Sequence, residues 1–279
     1  MKFRPVIVNR APAAFTLIEI ALCLAIIGIA LVAIIGVLPI GMHTQRDTRE
    51  ETTINQDATV LLEAIRNGVH GMDDLTNYVY AITNTWTLFN SNGTAKNSGQ
   101  NVYRYDGVSI ASQIYPLAPF PSAPITNGAN IIGLLSMPLY VANTPGFPAI
   151  SSLFNASGYS NHIVAMVRSL SGNAAEKPPQ TNPIMVEDSF TYKLLVLNAP
   201  EMSDTNIYSL SLGQQAYSRQ LAENQRELRM TFYWPVQPNG KLGTGRQTFR
   251  ATIAGQLTPQ LYNGINLYFY QPNSFTNAP

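Results

Sequence analysis

Hydrophobic and polar positions divide the chain into three stretches of different period. Residues 15–40 read FTLIEIALCLAIIGIALVAIIGVLPI, and Glu19 is the only formally charged residue between Arg10 and Arg46. As a helix this apolar run would rise about 39 Å, more than the roughly 30 Å of a bilayer's hydrocarbon core. After Gly41 the apolar positions narrow to one side. Ile54, Ala58, Leu61, Ile65 and Val69 fall at i, i+4, i+7, i+11 and i+15, the spacing of an amphipathic helix. Arg46, Asp47, Arg49, Glu50, Glu51 and Asp57 are expected on its other faces, with Arg46 and Glu50 at pairing distance. Gly68 and Gly71 are the expected terminators. Together the two segments predict one long spine whose outer half packs on a sheet.

From about Leu75 onward the period drops to two. Leu228, Met230, Phe232, Trp234 and Val236 alternate with Glu227, Arg229, Thr231 and Tyr233, while Phe249, Ala251 and Ile253 alternate with Thr248, Arg250 and Thr252. This predicts an antiparallel hairpin joined by the turn-rich residues 237–247, QPNGKLGTGRQ. Shorter strands are expected over residues 102–110, 162–170 and 191–197. A last strand holds Leu267 and Phe269, with Tyr268 and Tyr270 on its opposite face. Residues 209–224 suit one short helix. The proline- and glycine-rich stretches 116–128, 138–158 and 176–183 are too apolar for disordered linkers and read as ordered loops draping the sheet. The expected fold class is α+β: a long N-terminal helical spine packed on a C-terminal antiparallel β-sheet head. Its parts are a basic leader (1–14), a hydrophobic helix (15–41), the amphipathic second half of the spine (42–71) and the β-rich head (72–279).

Composition changes this picture in one respect. In 279 residues, Lys+Arg 17 against Asp+Glu 16 give a formal charge of +1, and charged residues make up 12%, about half the usual share of a soluble globular protein. No basic or acidic excess points to nucleic acid or to an acidic substrate. Asn, Ser, Thr, Gln and Tyr must supply the surface polarity. A single cysteine, Cys23, leaves no disulfide framework and no Cys-based zinc site. Within the apolar helix it reads as a small apolar filler.

Lys2, Arg4 and Arg10 precede the apolar run, and by the positive-inside rule this end stays in the cytoplasm while the head lies across the membrane. A secretory signal peptide would have a shorter core, with small residues after it. Here Ala11, Ala13 and Ala14 come before the run, so the helix is expected to be retained. Glu19 is then the anomaly. A carboxylate in a membrane helix costs at least about 2.5–3.5 kcal/mol on insertion scales and implies a partner. Cleavage between Ala14 and Phe15 would create an α-amino group one helical turn away. Ala21, Ala25, Gly28, Val32 and Gly36 form a mostly small stripe at helical spacing, suited to close approach of helices in lipid. Gly36, Pro39 and Gly41 weaken the helix near the far interface, allowing a kink at Pro39 or local unwinding.

Ala14 followed by Phe15-Thr16-Leu17-Ile18-Glu19, after a basic leader and before about twenty apolar residues, resembles the class III prepilin signal of type IV pilins and type II secretion pseudopilins. The resemblance covers about the first 45 residues. It implies a prepilin peptidase that cuts between Ala14 and Phe15 and methylates the Phe15 amine, with Glu19 as the assembly glutamate. It also implies storage in the inner membrane as a single-pass protein with a periplasmic head, and assembly with other pilin or pseudopilin subunits into an extracellular or periplasmic filament. One departure is Ala14, where the family usually has Gly. The residues 38–41 (LPIG) and 228–250 (LRMTFYWPVQPNGKLGTGRQTFR) are also similar to the pilin-like cassette proteins of Verrucomicrobia, the Verru_Chthon cassette protein B family.

Other chemistry finds little support in the residues. His43, His70 and His162 have no companions at metal spacing, and Asp73-Asp74 and Glu187-Asp188 sit in no calcium loop. Gly243-Thr244-Gly245 is a lone G-x-G in a turn, and no Ser sits in a nucleophile elbow. The expectation is a structural subunit, not an enzyme, with no cofactor and with membrane lipid, the peptidase and sister subunits as partners. The alternative is a membrane-displayed adhesive or substrate-binding module on a pilin-like stem.

Overall fold

The computed structural model describes residues 16–68, 72–90, 94–104, 122–125, 127–142, 158–171, 190–201, 211–262 and 265–275. The chain divides into two compact units, Met1–Glu51 and Thr52–Pro279. Helix α1, Leu17–Arg66, is 50 residues long and supplies the whole described part of the first unit beyond Thr16. Gly36, Pro39 and Gly41 all lie within continuous helix. Its described side chains are exposed throughout residues 17–49, an apolar cylinder up to Gly41 and a polar stretch from His43 to Arg49.

In the second unit, residues 52–66 of α1 behave oppositely. Ile54, Ala58, Leu61, Ala64 and Ile65 are buried in one cluster with sheet residues, as the one-sided spacing predicts. The helix stops at Arg66, where Gly68 takes φ +60 and donates to the Ile65 carbonyl. A Cβ there would run into the Tyr270 carbonyl, so this terminator has to be glycine. Val69 and Gly71 lie outside the described residues.

After a short 3₁₀ turn, Asp73–Asn77, the strands are β1 Val79–Phe89, β2 Ala95–Arg104, β3 Ser122–Pro124, β4 Tyr140–Ala142, β5 Gly158–Arg168, β6 Thr191–Pro200, β7 Gln225–Val236 and β8 Leu242–Ala254. They form one sheet in the order β3-β2-β1-β5-β6-β7-β8, antiparallel except for β2 with β3, and β4 pairs with the start of β5. Strands β9 Gln256–Tyr262 and β10 Ile265–Gln271 form a separate hairpin sheet. Helices α2 Gly128–Leu135 and α3 Leu212–Asn224 complete the unit. The coarse expectation of a long N-terminal helix followed by a mostly antiparallel sheet describes the molecule.

Strand alternation sets the core. Along β6 the even positions Tyr192, Leu194 and Val196 are buried, as are Leu228, Met230, Phe232 and Trp234 along β7. Phe190, Tyr192, Phe232 and Phe249 continue ring to ring across the strands, with centroids 6.2, 5.3 and 5.4 Å apart. The buried polar groups include Asp57, Arg168 and Arg226 and a set of linked amides. Asn84 Nδ2 donates to Asn161 Oδ1 at 3.0 Å, Asn161 Nδ2 to the Pro138 carbonyl at 3.1 Å, and Asn198 Nδ2 to the Ser136 carbonyl at 2.6 Å. Tyr270 Oη donates to Asn198 Oδ1 at 2.7 Å, so Asn198 of β6 links β10 to the Ser136 carbonyl that follows α2.

Three sequence expectations change. The link between β7 and β8 is only residues 237–241; residues 242–247 belong to β8. Gly245 pairs with Trp234 and Gly99 with Trp86, and a Cβ on either glycine would lie 2.5 or 2.6 Å from the indole ring. These glycines clear space for tryptophan inside strands, a role that a turn-rich composition conceals. Tyr268 and Tyr270 alternate with Leu267 and Phe269 as expected, and they are buried as Leu267 is, since the small sheet is covered on both faces there. Helix α2, read as part of the β region, packs on β10, with Gly133 against Leu267 and Phe269. Asp57 is wholly buried instead of lying on a solvated face. Residues 105–110, the bulk of stretches 116–128 and 138–158, and all of 176–183 lie outside the described residues.

Candidate functional site

Thr16 precedes the first residue of α1, and its N–H and Oγ1–H both donate to Glu19 Oε2 at 2.9 Å. Glu19 N–H reaches back to Thr16 Oγ1 at 3.4 Å. The arrangement is a capping box, in which the third helical residue satisfies an orphan donor at the helix start. The same device recurs at α3, where Ser211 N–H and Oγ–H donate to Gln214 Oε1 at 3.1 and 2.9 Å. A neutral amide therefore does the capping work at α3. What a carboxylate adds at position 19 is a full negative charge on an otherwise uncharged apolar segment.

Ala14 and Phe15 lie outside the described residues. Ala21, Ala25, Gly28, Val32 and Gly36 are all exposed along one helical row, and neither Gly28 nor Gly36 has any atom within 4 Å of the position a Cβ would take. Cys23 is an exposed free thiol. Pro39 sits within the helix. Arg46 and Glu50 pair as expected, Nε to Oε1 at 2.8 Å. Helix α1 is the one described helix long and apolar enough to cross a membrane, and no residue of its apolar window is buried.

In the head, the buried Asp57 carboxylate accepts the Leu170 N–H at 2.9 Å through Oδ2. Burial pushes its pKa above the ordinary carboxylate value, and hydrogen bonding around Ser171, Leu170 and Tyr192 tempers the rise. Burial and the neighbouring carboxylate drive the Tyr192 hydroxyl well up. Sequence alone carried a signal for this: Asp57 stands at i+3 from Ile54 and i+4 before Leu61, inside the apolar row.

The opposite face of the sheet is covered over β1 and β5, where Tyr80, Ala81, Met166 and Arg168 are buried, and opens over β6, β7 and β8. A shallow groove of about 610 Å³ is lined by Leu195, Leu197, Arg229, Thr231, Tyr233, Arg246, Thr248 and Arg250. Among the described residues no group of three or more His, Cys, Asp and Glu side chains comes together. His43 and His162 are exposed and far apart in sequence, and His70, Glu187 and Asp188 lie outside the described residues. Comparison with family models, with curated proteins and with solved structures finds no match for this chain.

Proposed function

We propose that this chain is a membrane-stored structural subunit that is cut between Ala14 and Phe15 and assembles through α1 into a pilus-like filament or secretion pseudopilus. The observation that carries the reading is an apolar helix, exposed on every side, with a single carboxylate in its first turn. An exposed apolar surface of that length needs lipid or other helices around it. In lipid, helices gain little by burying more apolar surface, so small residues and paired charges decide how they pack. The stripe from Ala21 to Gly36 offers the close approach. Glu19 offers one charge whose complement, the new α-amino group of Phe15 in its own or a neighbouring subunit, fixes axial register. A prepilin-type peptidase, sister subunits and inner-membrane lipid are the partners this reading requires.

Two measurements test it. The mass of the native N-terminus is expected to be that of N-methyl-Phe15; a chain that still begins at Met1 refutes processing. Glu19→Gln keeps the capping acceptor, as Gln214 does at α3, and removes only the charge. It is expected to insert and fold normally yet to be missing from sheared filaments, as is Glu19→Ala. Incorporation of the Gln variant at the wild-type level would show that the carboxylate only caps the helix.

A further inference from the structure

The pairing of β6, β7 and β8 brings cations together that are far apart in sequence. On the open face Arg229 stands between Leu197 and Arg250, Thr231 between Leu195 and Thr248, and Tyr233 between Lys193 and Arg246. Arg229 and Arg250 are directly opposed like charges, an arrangement that destabilises an antiparallel pair. One carboxylate relieves it: Glu227 Oε1 lies 3.3 Å from Arg229 Nη2 and 3.8 Å from Arg250 Nε. Arg250 keeps 64% of its side chain exposed, and Arg229 Nε is enclosed without a hydrogen-bond partner. The next row toward the hairpin turn is the Thr231–Thr248 hydroxyl pair at 3.0 Å. Beyond it the Arg246 guanidinium lies 5.4 Å over the Tyr233 ring. The two cationic rows are four strand residues apart, about 13 Å.

The geometry points to this face as a docking site for an acidic peptide segment that also carries apolar side chains. Among the described residues of β6, β7 and β8, four cations, Lys193, Arg229, Arg246 and Arg250, lie on this face with the single carboxylate of Glu227. Arginine forks match carboxylates with two parallel hydrogen bonds. Leu195 and Leu197, half-buried beside the arginine row, give the ligand an apolar strip that a purely ionic polymer would leave uncovered. The groove's volume suits a few side chains. Glu227 holds the two arginines in place until a carboxylate from the ligand joins them. This inference concerns the head alone and stands whether or not α1 assembles.

The experiment uses the full chain in phosphatidylcholine nanodiscs, which carry no net charge, and a fluorescein-labelled peptide Gly-Glu-Leu-Ser-Leu-Glu-Gly read by anisotropy. The glutamate peptide is expected to bind and its glutamine counterpart to fail. Raising salt from about 0.05 to about 0.5 M should weaken binding at least tenfold. Arg229→Gln with Arg250→Gln should weaken it about tenfold or more. Glu227→Gln, which removes the competing carboxylate, should strengthen it about threefold, a gain that a misfolded head cannot mimic. No binding of the glutamate peptide, equal binding of both peptides, or unchanged affinity in the double variant overturns the proposal. Stronger competition by polygalacturonate or oligothymidylate than by unlabelled peptide also overturns it, assigning the face to a polysaccharide or a nucleic acid.

Discussion

The two stretches of α1 are made of similar residues and meet different surroundings. Ile20, Leu24, Ile27 and Leu31 are 52–63% exposed, whereas Ile54, Leu61 and Ile65 are 0% exposed. Residue type does not separate them; arrangement does. In residues 17–41 apolar side chains occupy every face, so no single surface can bury them and the surroundings must be apolar. In residues 52–66 they occupy one row, and the head's sheet covers that row. A folded domain needs a stripe, and a membrane or a bundle needs a full cylinder.

The sharpest way to break this contrast is to put the same charge into each stretch. Leu61→Asp places an unpaired carboxylate in the core and should cost more than about 4 kcal/mol, abolishing the cooperative near-UV CD transition of the full chain in detergent. Leu24→Asp should leave that transition unmoved and instead reduce carbonate-resistant membrane association, because a central carboxylate costs about 2.5–3.5 kcal/mol to insert. Equal loss of head stability in both variants would erase the distinction.

A smaller effect tests the packing inside the covered region. Gly245→Ala sets a methyl group against the Trp234 indole and should destabilise the head by about 1–3 kcal/mol, with an altered tryptophan emission. Gly28→Ala, in open space on the exposed stretch, should leave the head's melting temperature unchanged.

Asp57 supplies the next measurement. Its carboxyl is raised by burial, so the folded head holds that proton more tightly than the unfolded chain does. Its contribution to stability therefore falls as pH rises from the ordinary carboxylate value of 3.8 through the raised folded value. Asp57→Asn keeps an acceptor for the Leu170 N–H and carries no charge. The difference in stability between wild type and variant should shift against the wild type as pH rises through that window, and a flat difference would contradict burial of the charge. The smallest effect is at the second capping box: Gln214→Ala should cost about 0.5–1 kcal/mol of head stability and leave filament assembly intact, in contrast to Glu19→Gln.

Much of the fold was legible before the structure. Leu228, Met230, Phe232 and Trp234 turn inward and Arg229 and Tyr233 outward, as a period of two requires, while Thr231 shares the outer face but is buried. The row Ile54, Ala58, Leu61, Ile65 is buried as one face. The head's sites were legible only in part. The place of Asp57 in the apolar row between Ile54 and Leu61 can be read from spacing, but its acceptor role depends on Leu170, 113 residues away. Gly245 looked like a turn, because nothing local says that a tryptophan ring will lie over it. Helix α2 was hidden because GANIIGLL is apolar nearly throughout and has no period to read.

What the sequence by itself determined is the solvent each helical stretch requires and the inward side of each strong strand. Both follow from periodicity, and periodicity is set by backbone geometry within a few residues. The tertiary structure decided which strands are neighbours, and with that everything that depends on crossing between them. Arg229 and Arg250 face each other, Gln247 reaches Asn55 across 192 residues, and Gly68 meets the Tyr270 carbonyl. Those contacts are made between segments whose own local patterns carry no information about their partners.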